Sequence, residues 1–504
     1  MLKARLARLP ILVILALGAG LGMWLPAMVA ARDRDWSSAQ AYFYSGLLTL
    51  IIATLVAIVT RDRPIRHRVQ AQLLSLLGAF LALPLILAVP LYESLGNTSY
   101  LNAYLEMVAA ITTTGGSVYD TLRLDSADDV WRALVAWSGG LLMWSAAVAI
   151  FAPLGLGGYE VTQSRGTNVG LPEQMGATKR ASTRLVEAIA LLFPMYAGLT
   201  LALFVSLLIA GDGPLVSAVH AMGTMSTSGM SPVGGIEGAS SGRAGEFIVA
   251  LFFVFALSRA AFAHSVFPEI QGGLRQDPEL RLAVVVVLAV TLGLWLRHFV
   301  GATQTEDVPG LIRGLQAMWG ALFTTLSFLS TTGYASGDWV AARGWSGLEA
   351  PGLILMGLAL IGGGVATTAG GVKLLRVYAL LKHGEREVDR LVYPSSIGGA
   401  GRLARHVRKE GAFIAWVVFM LLAVSLAALM LALSVVGVAF EDALILSVAA
   451  LTNTGPLVDY AAATPIETVA LPAGAKLALA FGMALGRVET LVLVALLNPA
   501  FWRV

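Results

Sequence analysis

Long apolar stretches dominate this sequence and restrict its possible folds more than any other feature. Ten of them are long enough for a helix to cross a bilayer core, which takes roughly 20 residues. They lie near 9–31, 41–60, 72–92, 133–156, 185–210, 245–268, 282–300, 350–381, 411–438 and 473–497. Hydrophobic residues make up 57% of the chain and charged residues only 13%, so lipid must solvate most of it. We therefore predict an all-α membrane protein with ten transmembrane helices.

Basic residues mark one side of the membrane. With ten spans, the basic clusters that flank them all fall on the side that also holds both termini, and this side is cytoplasmic by the positive-inside rule. The clusters are Lys3, Arg5 and Arg8; Arg61, Arg63, Arg66 and Arg68; Lys179, Arg180 and Arg184; and Lys382, Arg386, Arg390, Arg402, Arg405, Arg408 and Lys409. The first apolar run follows basic residues, as a signal peptide would. We interpret it as an anchored helix, because it is too long for a signal peptide and another span follows closely.

Four shorter, half-apolar segments interrupt the series of long stretches, at 100–112, 214–226, 310–329 and 440–452. Each ends in a small polar turn and is followed by another full span. An internal repeat fixes the architecture of a chain. We predict two extra N-terminal helices and four repeats of helix, re-entrant half-helix and helix around one pore. The predicted divisions are 1–70 for the N-terminal helices, 71–160, 180–272, 280–382 and 411–504 for the repeats, and 383–410 for a basic cytoplasmic loop.

The four turns share one composition, which is small hydroxyl or amide residues followed by glycine. They begin with the hydroxyl residues Thr112, Ser226, Ser330 and Thr452 and continue as Thr113, Thr114, Gly115 and Gly116; Thr227, Ser228, Gly229 and Met230; Thr331, Thr332, Gly333 and Tyr334; and Asn453, Thr454, Gly455 and Pro456. One such turn is common in proteins. Four of them, each at the same place in a repeated unit, indicate a shared function.

The residue types in these turns suit cation binding. Non-helical backbone at membrane depth is tolerated only where it lines a wet cavity. The C-terminal end of each half-helix carries roughly half a negative charge, and carbonyls beyond it can replace the hydration shell of an ion. Glycine permits the backbone conformations that this requires. Because no turn contains a carboxylate, the turns favour K⁺ over Ca²⁺ or Mg²⁺.

The turns resemble those of the Trk/Ktr/HKT family of potassium transporters, and the resemblance covers nearly the whole chain. It also rests on Trp131-Arg132 with Trp137 and Gly139-Gly140, on the stretch from Gly362 to Arg376, and on Gly486-Arg487-Val488-Glu489. The two extra N-terminal spans suit the bacterial Trk type better than the Ktr type.

The resemblance implies K⁺ uptake across the bacterial inner membrane, with K⁺ held by the carbonyls of a selectivity filter. It makes Gly115, Gly229, Gly333 and Gly455 the filter glycines. Glycine rather than serine at the first of these points to K⁺ rather than Na⁺. It also implies a homodimer and a TrkA-like cytoplasmic nucleotide-binding ring. The chain has no P-loop and no dinucleotide fingerprint of its own, so any nucleotide must act through that partner.

A glycine-dense break in the eighth span is the predicted gate. Glycines at this density weaken a helix, and the family resemblance implies an intramembrane loop beneath the filter. The predicted gate residues are Gly362, Gly363, Gly364, Gly370, Gly371, Lys373, Arg487 and Glu489. We interpret Arg487 as a positive barrier to K⁺. The alternatives are a glycine-packed helix crossing and a helix-pinning pair of Arg487 with Glu489.

Other classes of protein fit the sequence less well. There is no cysteine, and the spans contain no carboxylate pair, Ser–His pair or ligand cluster of the kind that an enzyme would need. Nothing indicates a nucleic-acid partner. A transporter coupled to H⁺ or Na⁺ with the same fold, and a less selective K⁺/Na⁺ channel, remain open. Arg259 and His264 match nothing in the family, and we expect Arg259 to pair with a nearby carbonyl or carboxylate.

Topology generates the first test. A Ser395→Cys substitution gives this cysteine-free chain a single thiol in the basic loop 383–410. Membrane-impermeant maleimides should label it in inside-out vesicles and leave it unlabelled in intact spheroplasts. Labelling from the outer face would contradict the ten-span arrangement.

Overall fold

The structure is a computed structural model that describes residues 9–60, 69–154, 156–161, 181–259, 277–301, 311–348, 350–393, 409–462 and 464–489. These residues form helices and loops and contain no β-strand, as the sequence predicts. Seven of the described helices are long and apolar enough to span a membrane. The apolar stretches 245–268, 350–381 and 473–497 contain shorter described helices, so the count of ten stays a prediction.

Grouped by the predicted divisions of the chain, the helices run as follows. The N-terminal unit contains Ile11–Gly22, Trp24–Arg32 and Trp36–Thr60. The first repeat contains Val69–Leu81, Leu83–Leu95, Tyr100–Ile111 and Ser126–Ala146, which continues through a π-turn to Leu154. The second contains Ala181–Ala210, Pro214–Ser226, Gly242–Phe252 and Val254–Leu257. The third contains Pro278–Gly301, Leu311–Leu329, Trp339–Ser346, Gly352–Ile361 and Leu374–Val392. The fourth contains Lys409–Val435, Phe440–Thr452, Leu457–Tyr460 and Ala473–Val488.

The four predicted half-helices are present close to their predicted limits. They are Tyr100–Ile111, Pro214–Ser226, Leu311–Leu329 and Phe440–Thr452. Local signals start two of them: the Ser99 side chain accepts a hydrogen bond from the N–H of Asn102 at 3.3 Å, and Pro214 occupies the first turn, where a missing N–H costs nothing. Their last turns are buried, which brings all four C-terminal ends to the interior of the protein.

Burial separates central helices from peripheral ones. In the helix Ser126–Leu154, 83% of the residues in its apolar stretch are buried inside the protein. In the helix Gly411–Val435, only 17% of the corresponding residues are buried. The outer helix exposes large apolar side chains such as Phe413 and Val424, which would be costly in water. Its surface is therefore suited to contact with lipid.

The N-terminal unit packs on the first repeat through close helix contacts and polar links. Gly20 and Gly46 let two N-terminal helices approach so closely that a Cβ on Gly46 would lie 2.9 Å from the carbonyl oxygen of Gly20. The Tyr42 hydroxyl then donates a hydrogen bond to Asp128 Oδ1 at 2.7 Å, at the start of the helix Ser126–Ala146. The buried bond attaches this unit to the helix Ser126–Ala146.

The eighth apolar stretch is interrupted where its glycines predict a break. The helix Gly352–Ile361 ends at Gly362, and the helix Leu374–Val392 begins after Lys373. The intervening residues 362–371, here called the glycine loop, are almost entirely buried. The second helix continues beyond residue 382 into the segment predicted as the basic loop, whose residues 394–408 lie outside the described residues.

Candidate functional site

All four half-helices end in the same backbone conformation. The second residue of each turn has a left-handed φ, although none of the four is glycine. These residues are Thr113 (φ 52°), Thr227 (φ 56°), Thr331 (φ 60°) and Asn453 (φ 53°). A β-branched residue in this region is a true outlier that costs roughly 1–3 kcal/mol and persists only where surrounding contacts impose it.

Paired hydroxyls supply those contacts. In every turn the hydroxyls of the first and third residues lie within hydrogen-bond distance of each other. The oxygen–oxygen distances are 2.8 Å for Thr112 and Thr114, 3.0 Å for Ser226 and Ser228, 2.9 Å for Ser330 and Thr332, and 3.2 Å for Thr452 and Thr454. The first hydroxyl also donates to a carbonyl in the last turn of its own half-helix, such as that of Val108 at 2.7 Å. The hydroxyls therefore hold the chain where it leaves each helix.

The four turns meet in a closed ring. A Cβ on Gly115 would lie 1.5 Å from the carbonyl oxygen of Ser228 in the second turn, and one on Gly229 would lie 2.1 Å from that of Thr332 in the third. A Cβ on Gly333 would lie 2.8 Å from the Pro456 ring of the fourth turn, and one on Gly455 would lie 2.1 Å from the carbonyl oxygen of Gly115. Each of these glycines thus abuts the next turn in order, and the fourth returns to the first.

The fourth turn differs from the others. Gly115, Gly229 and Gly333 have φ values of 67°, 62° and 86°, but the φ of Gly455 lies outside the left-handed region. The N–H of Gly455 donates to the carbonyl of Thr114 at 2.6 Å, and Asn453 Nδ2 donates to Thr114 Oγ1 at 2.9 Å. The fourth turn is therefore tied directly to the first.

A cavity of about 220 Å³ lies against the ring and receives residues from all four turns. Its lining includes Gly116, Met230, Tyr334 and Pro456, which are the fifth residues of the turns. Asp120, Asp459 and Tyr460 line it as well, and the Tyr460 hydroxyl donates to Glu237 Oε1 at 2.5 Å. These acids carry no sequence motif and were not predicted.

The acids at this cavity favour cations. Desolvation, with a smaller contribution from the carboxylate of Glu237, raises the pKa of Asp459 to about 6. The side chain is therefore largely ionised at neutral pH. Arg132 also lines the cavity, but its guanidinium forms buried ion pairs with Glu106 and Asp129, so the carboxylates of Asp120 and Asp459 can still attract cations.

The glycine loop lies directly against the ring. Its backbone has positive φ at Gly362 (73°), Ala366 (57°) and Gly371 (75°), and Lys373, which follows it, has φ 87°. The first and last segments are pinned to each other, because the N–H of Gly363 donates to the carbonyl of Gly370 at 3.3 Å. These values exclude the alternative of a continuous glycine-packed helix.

Hydrogen bonds attach the glycine loop to the left-handed residues of the turns. Thr227 Oγ1 donates to the carbonyl of Thr368 at 2.9 Å, and the N–H of Gly370 donates to Thr331 Oγ1 at 2.7 Å. The loop also approaches the fourth turn, since a Cβ on Gly370 would lie 1.9 Å from the carbonyl oxygen of Thr452. Three turns therefore contact the loop directly.

Arg487 completes the set of contacts. Its guanidinium donates to Thr113 Oγ1 of the first turn and to the carbonyl of Thr368 in the loop. Its Nε atom is buried without a hydrogen-bond partner. The side chain thus lies between the ring and the glycine loop.

The alternative pairing of Arg487 with Glu489 is not present. Glu489 instead accepts a hydrogen bond from Arg376 Nη2 at 2.7 Å, in a buried ion pair that joins the helix after the glycine loop to the last helix. The Lys373 ammonium donates to the carbonyl of Ala369 within the loop. The partner of Glu489 lies 113 positions away in the sequence, so the alternative pairing by sequence proximity is wrong.

Two further predictions concern the sixth span. Arg259 lies with its guanidinium 5.8 Å from the ring centre of Tyr159. It also interacts electrostatically with the buried carboxylate of Glu279, which agrees with the expected carboxylate neighbour. His264 lies outside the described residues.

Comparison with known proteins gives consistent similarities. A family model described as "TrkH: Cation transport protein" matches residues 279–502. The Trk system potassium uptake protein TrkH of Vibrio parahaemolyticus is 30% identical over 516 aligned residues, which cover 95% of this chain and 96% of that protein. The protein named TrkI of Halomonas elongata is 26% identical, over 98% of this chain and 96% of its own length. The crystal structure of TrkH from Vibrio parahaemolyticus superposes with a TM-score of 0.76 and 24% identity over the whole of both chains.

The partner of Glu489 can be tested by double-mutant cycles. Arg376→Leu and Glu489→Leu should show a coupling of about 1–3 kcal/mol in the free energy of unfolding, because each single change leaves a buried charge unpaired. The effects of Arg487→Leu and Glu489→Leu on the free energy of unfolding should be additive within about 0.5 kcal/mol. The free energies are measured by detergent titration in mixed micelles. Coupling of Glu489 to Arg487 alone would contradict the geometry.

Proposed function

Because the chain belongs to the Trk family of potassium uptake proteins, we propose that it carries K⁺ across the bacterial inner membrane into the cytoplasm. Its relatives are named for transport rather than for catalysis. The long apolar helices place it in a membrane as a multi-pass protein. We propose further that both termini are cytoplasmic, in line with the basic clusters in the sequence.

The closed order of the four turns is the observation that carries this proposal. Four chain segments that abut in sequence, each at the C-terminal end of a half-helix, surround a common axis. The partial negative charges of four helix ends add at such an axis, and the carbonyls that follow them can take the place of hydration water. A cation that enters from the acidic cavity then meets oxygen ligands at every side.

Potassium is the ion that these ligands suit. The turns offer carbonyls and hydroxyls and contain no carboxylate, whereas Ca²⁺ and Mg²⁺ bind sites rich in charged oxygens. We propose that the carbonyls of residues 113–116, 227–230, 331–334 and 453–456 form the selectivity filter. The paired hydroxyls behind them hold the carbonyls in register rather than serving as the main ligands.

The glycine loop is the proposed gate. Its contacts with Thr227 and Thr331, and its bridge to Thr113 through Arg487, support a position that closes the cytoplasmic side of the ring. Arg487 adds an electrostatic barrier, since two like charges about 4 Å apart repel by about 4 kcal/mol at an effective dielectric constant of 20. Each hydrogen bond between loop and turns is worth only about 1 kcal/mol, so a modest force can open it.

The helix Leu374–Val392 offers a route by which a partner could apply that force. It begins directly after the glycine loop and ends at the basic segment, and it exposes the apolar side chains Leu381, Val388 and Leu391. We propose that a cytoplasmic nucleotide-binding ring binds this region and moves the loop through the helix. The chain itself is proposed to act as a homodimer.

The direct test is ion flux into proteoliposomes that contain the purified protein. We expect uptake of K⁺ and Rb⁺ to exceed that of Na⁺ and Li⁺. The same measurement with an imposed proton or sodium gradient separates a channel from a coupled transporter. Equal flux of all four ions would reject a selective filter, and flux no greater than in empty liposomes would reject transport.

Selectivity should depend on the filter glycines. Gly115→Ser places a side chain where a Cβ would lie 1.5 Å from the carbonyl oxygen of Ser228, so the first and second turns must move apart. The K⁺/Na⁺ permeability ratio should fall by about tenfold, which corresponds to about 1.4 kcal/mol. Gly357→Ser, at a helix position where a Cβ meets nothing within 4 Å, is the control and should keep the wild-type ratio. Equal ratios in folded Gly115→Ser and wild-type protein would remove Gly115 from the filter.

Gating should depend on Arg487 and the glycine loop. Arg487→Ala, or deletion of residues 365–369, should raise K⁺ flux without a partner by roughly tenfold or more, because about 1.4 kcal/mol of barrier corresponds to that factor. Selectivity should change little, since the filter carbonyls are retained. Lys476→Ala removes a cation from the same helix, where it donates to the carbonyl of Val469 and contacts neither the ring nor the glycine loop among the described residues, and serves as the control. Folded variants that conduct no faster than wild type would place the gate elsewhere.

A further inference from the structure

Beyond each of the first three turns, the chain segment that leads to the outer cavity is held by a side chain of the half-helix. In the first turn this residue is Glu106, nine residues before Gly115. Its Oε2 accepts the N–H of Val118, three residues after that glycine, at 2.6 Å. Its Oε1 forms a buried ion pair with Arg132, whose Nη2 reaches the carbonyl of Gly116 at 3.3 Å. The outer part of the first turn is thus fixed at two points.

The same position of the second half-helix holds the second turn by a different group. Nine residues before Gly229 lies His220. Pro232 stands where the first turn has Val118, and proline has no N–H to donate. The Ser231 hydroxyl takes its place, 2.8 Å from His220 Nε2. Because this hydroxyl donates its hydrogen to the carbonyl of Gly235 at 3.0 Å, we assign the His220 proton to Nε2.

The third turn repeats the bond of the first with a neutral side chain. Thr324 lies nine residues before Gly333, and its Oγ1 accepts the N–H of Ser336 at 3.1 Å, three residues after that glycine. The Ser336 hydroxyl and the N–H of Gly337 both donate to the carboxylate of Glu246, at 2.7 Å each. This segment is therefore held by two helices.

The fourth turn has an apolar residue at this position. Leu446 lies nine residues before Gly455 and has no hydrogen-bonding group. The N–H of Val458, three residues after Gly455, donates instead to the carbonyl of Gly455 at 3.1 Å. A cavity of about 40 Å³, lined in part by Leu446, Val458 and Gly455, lies behind this turn. The side chain at the anchor position therefore makes no hydrogen bond to the segment beyond this turn.

We propose that Glu106, His220 and Thr324 are positioning residues for ion selectivity, and that the fourth turn is the compliant part of the filter. This inference rests on the proposed function. Discrimination between K⁺ and Na⁺ depends on where the filter carbonyls lie and how firmly they are held. The outer segments of the first three turns are bonded to side chains of their own half-helices. The outer segment of the fourth has no such bond, although its inner residues bond to the first turn through Gly455 and Thr114 and to the carbonyl of Met483 through Asn453. If the anchoring hydrogen bond of one of these three turns is removed, the carbonyls of that turn can shift as those of the fourth turn can.

Thr324 allows the sharpest test, because valine has nearly the same shape and lacks the hydroxyl. Thr324→Val should lower the K⁺/Na⁺ permeability ratio by about fivefold, the effect expected from the loss of one hydrogen bond. Thr324→Ser keeps the acceptor and should restore the ratio. The matched control is Thr325→Val. It removes a hydroxyl that is equally buried in the same half-helix, but this hydroxyl makes no hydrogen bond to residues 333–337. Ratios come from K⁺, Rb⁺, Na⁺ and Li⁺ flux into proteoliposomes, with melting temperatures measured in parallel.

A second pair of variants makes the test independent of one site. His220→Leu should lower the ratio, and His220→Gln, which can present a donor near the place of Nε2, should retain most of it. A merely structural role would lower the melting temperature of Thr324→Val and His220→Leu and leave their ratios at the wild-type value, which would overturn the inference. If wild-type protein carries K⁺ no better than Na⁺, the proposed function fails instead.

Discussion

Backbone groups that leave a helix at membrane depth cost several kcal/mol each unless something other than lipid satisfies them. The four turns meet this constraint with hydroxyls. The first and third residues of each turn bond to each other and to the end of the half-helix, and a left-handed residue between them redirects the chain. Once the turns are formed, their carbonyls lie around a ring rather than along a helix. The half-helices, the buried central spans and the glycine loop all serve to keep lipid away from this ring.

The four turns of the ring are alike in their inner contacts and differ in their outer ones. The inner contacts are nearly the same in every turn, whereas the outer supports are a carboxylate, an imidazole, a hydroxyl and a leucine at one equivalent position. The fourth turn also departs in its glycine conformation and in its direct bonds to the first. A ring of identical subunits would have to repeat every feature four times. A single chain can make one quarter different, and this one places its only apolar support there.

Buried charged side chains lie near the ring and the glycine loop, and they have different partners. Arg376 and Glu489 form a pair that joins two helices, and such pairs hold structure mainly because breaking them is costly. Arg487 has no carboxylate partner among the described residues and lies between loop and turn. A cation without a neutralising partner is expensive to bury, which supports the role that we propose for Arg487 at the gate. The left-handed backbone of the loop is a second cost at the same place.

The sequence by itself determined the all-α class, the four half-helices and the break at residue 362, because apolar length, small polar turns and glycine density act locally and repeat. It also determined which residues occupy the turns. Only the tertiary structure decided that the turns close in order, that Glu489 pairs with Arg376, and that Glu106, His220 and Thr324 each reach the segment beyond their own glycine. These contacts join residues far apart in sequence or unlike in chemistry. No local sequence pattern predicts these contacts, because only the packing of the helices brings the contacting residues together.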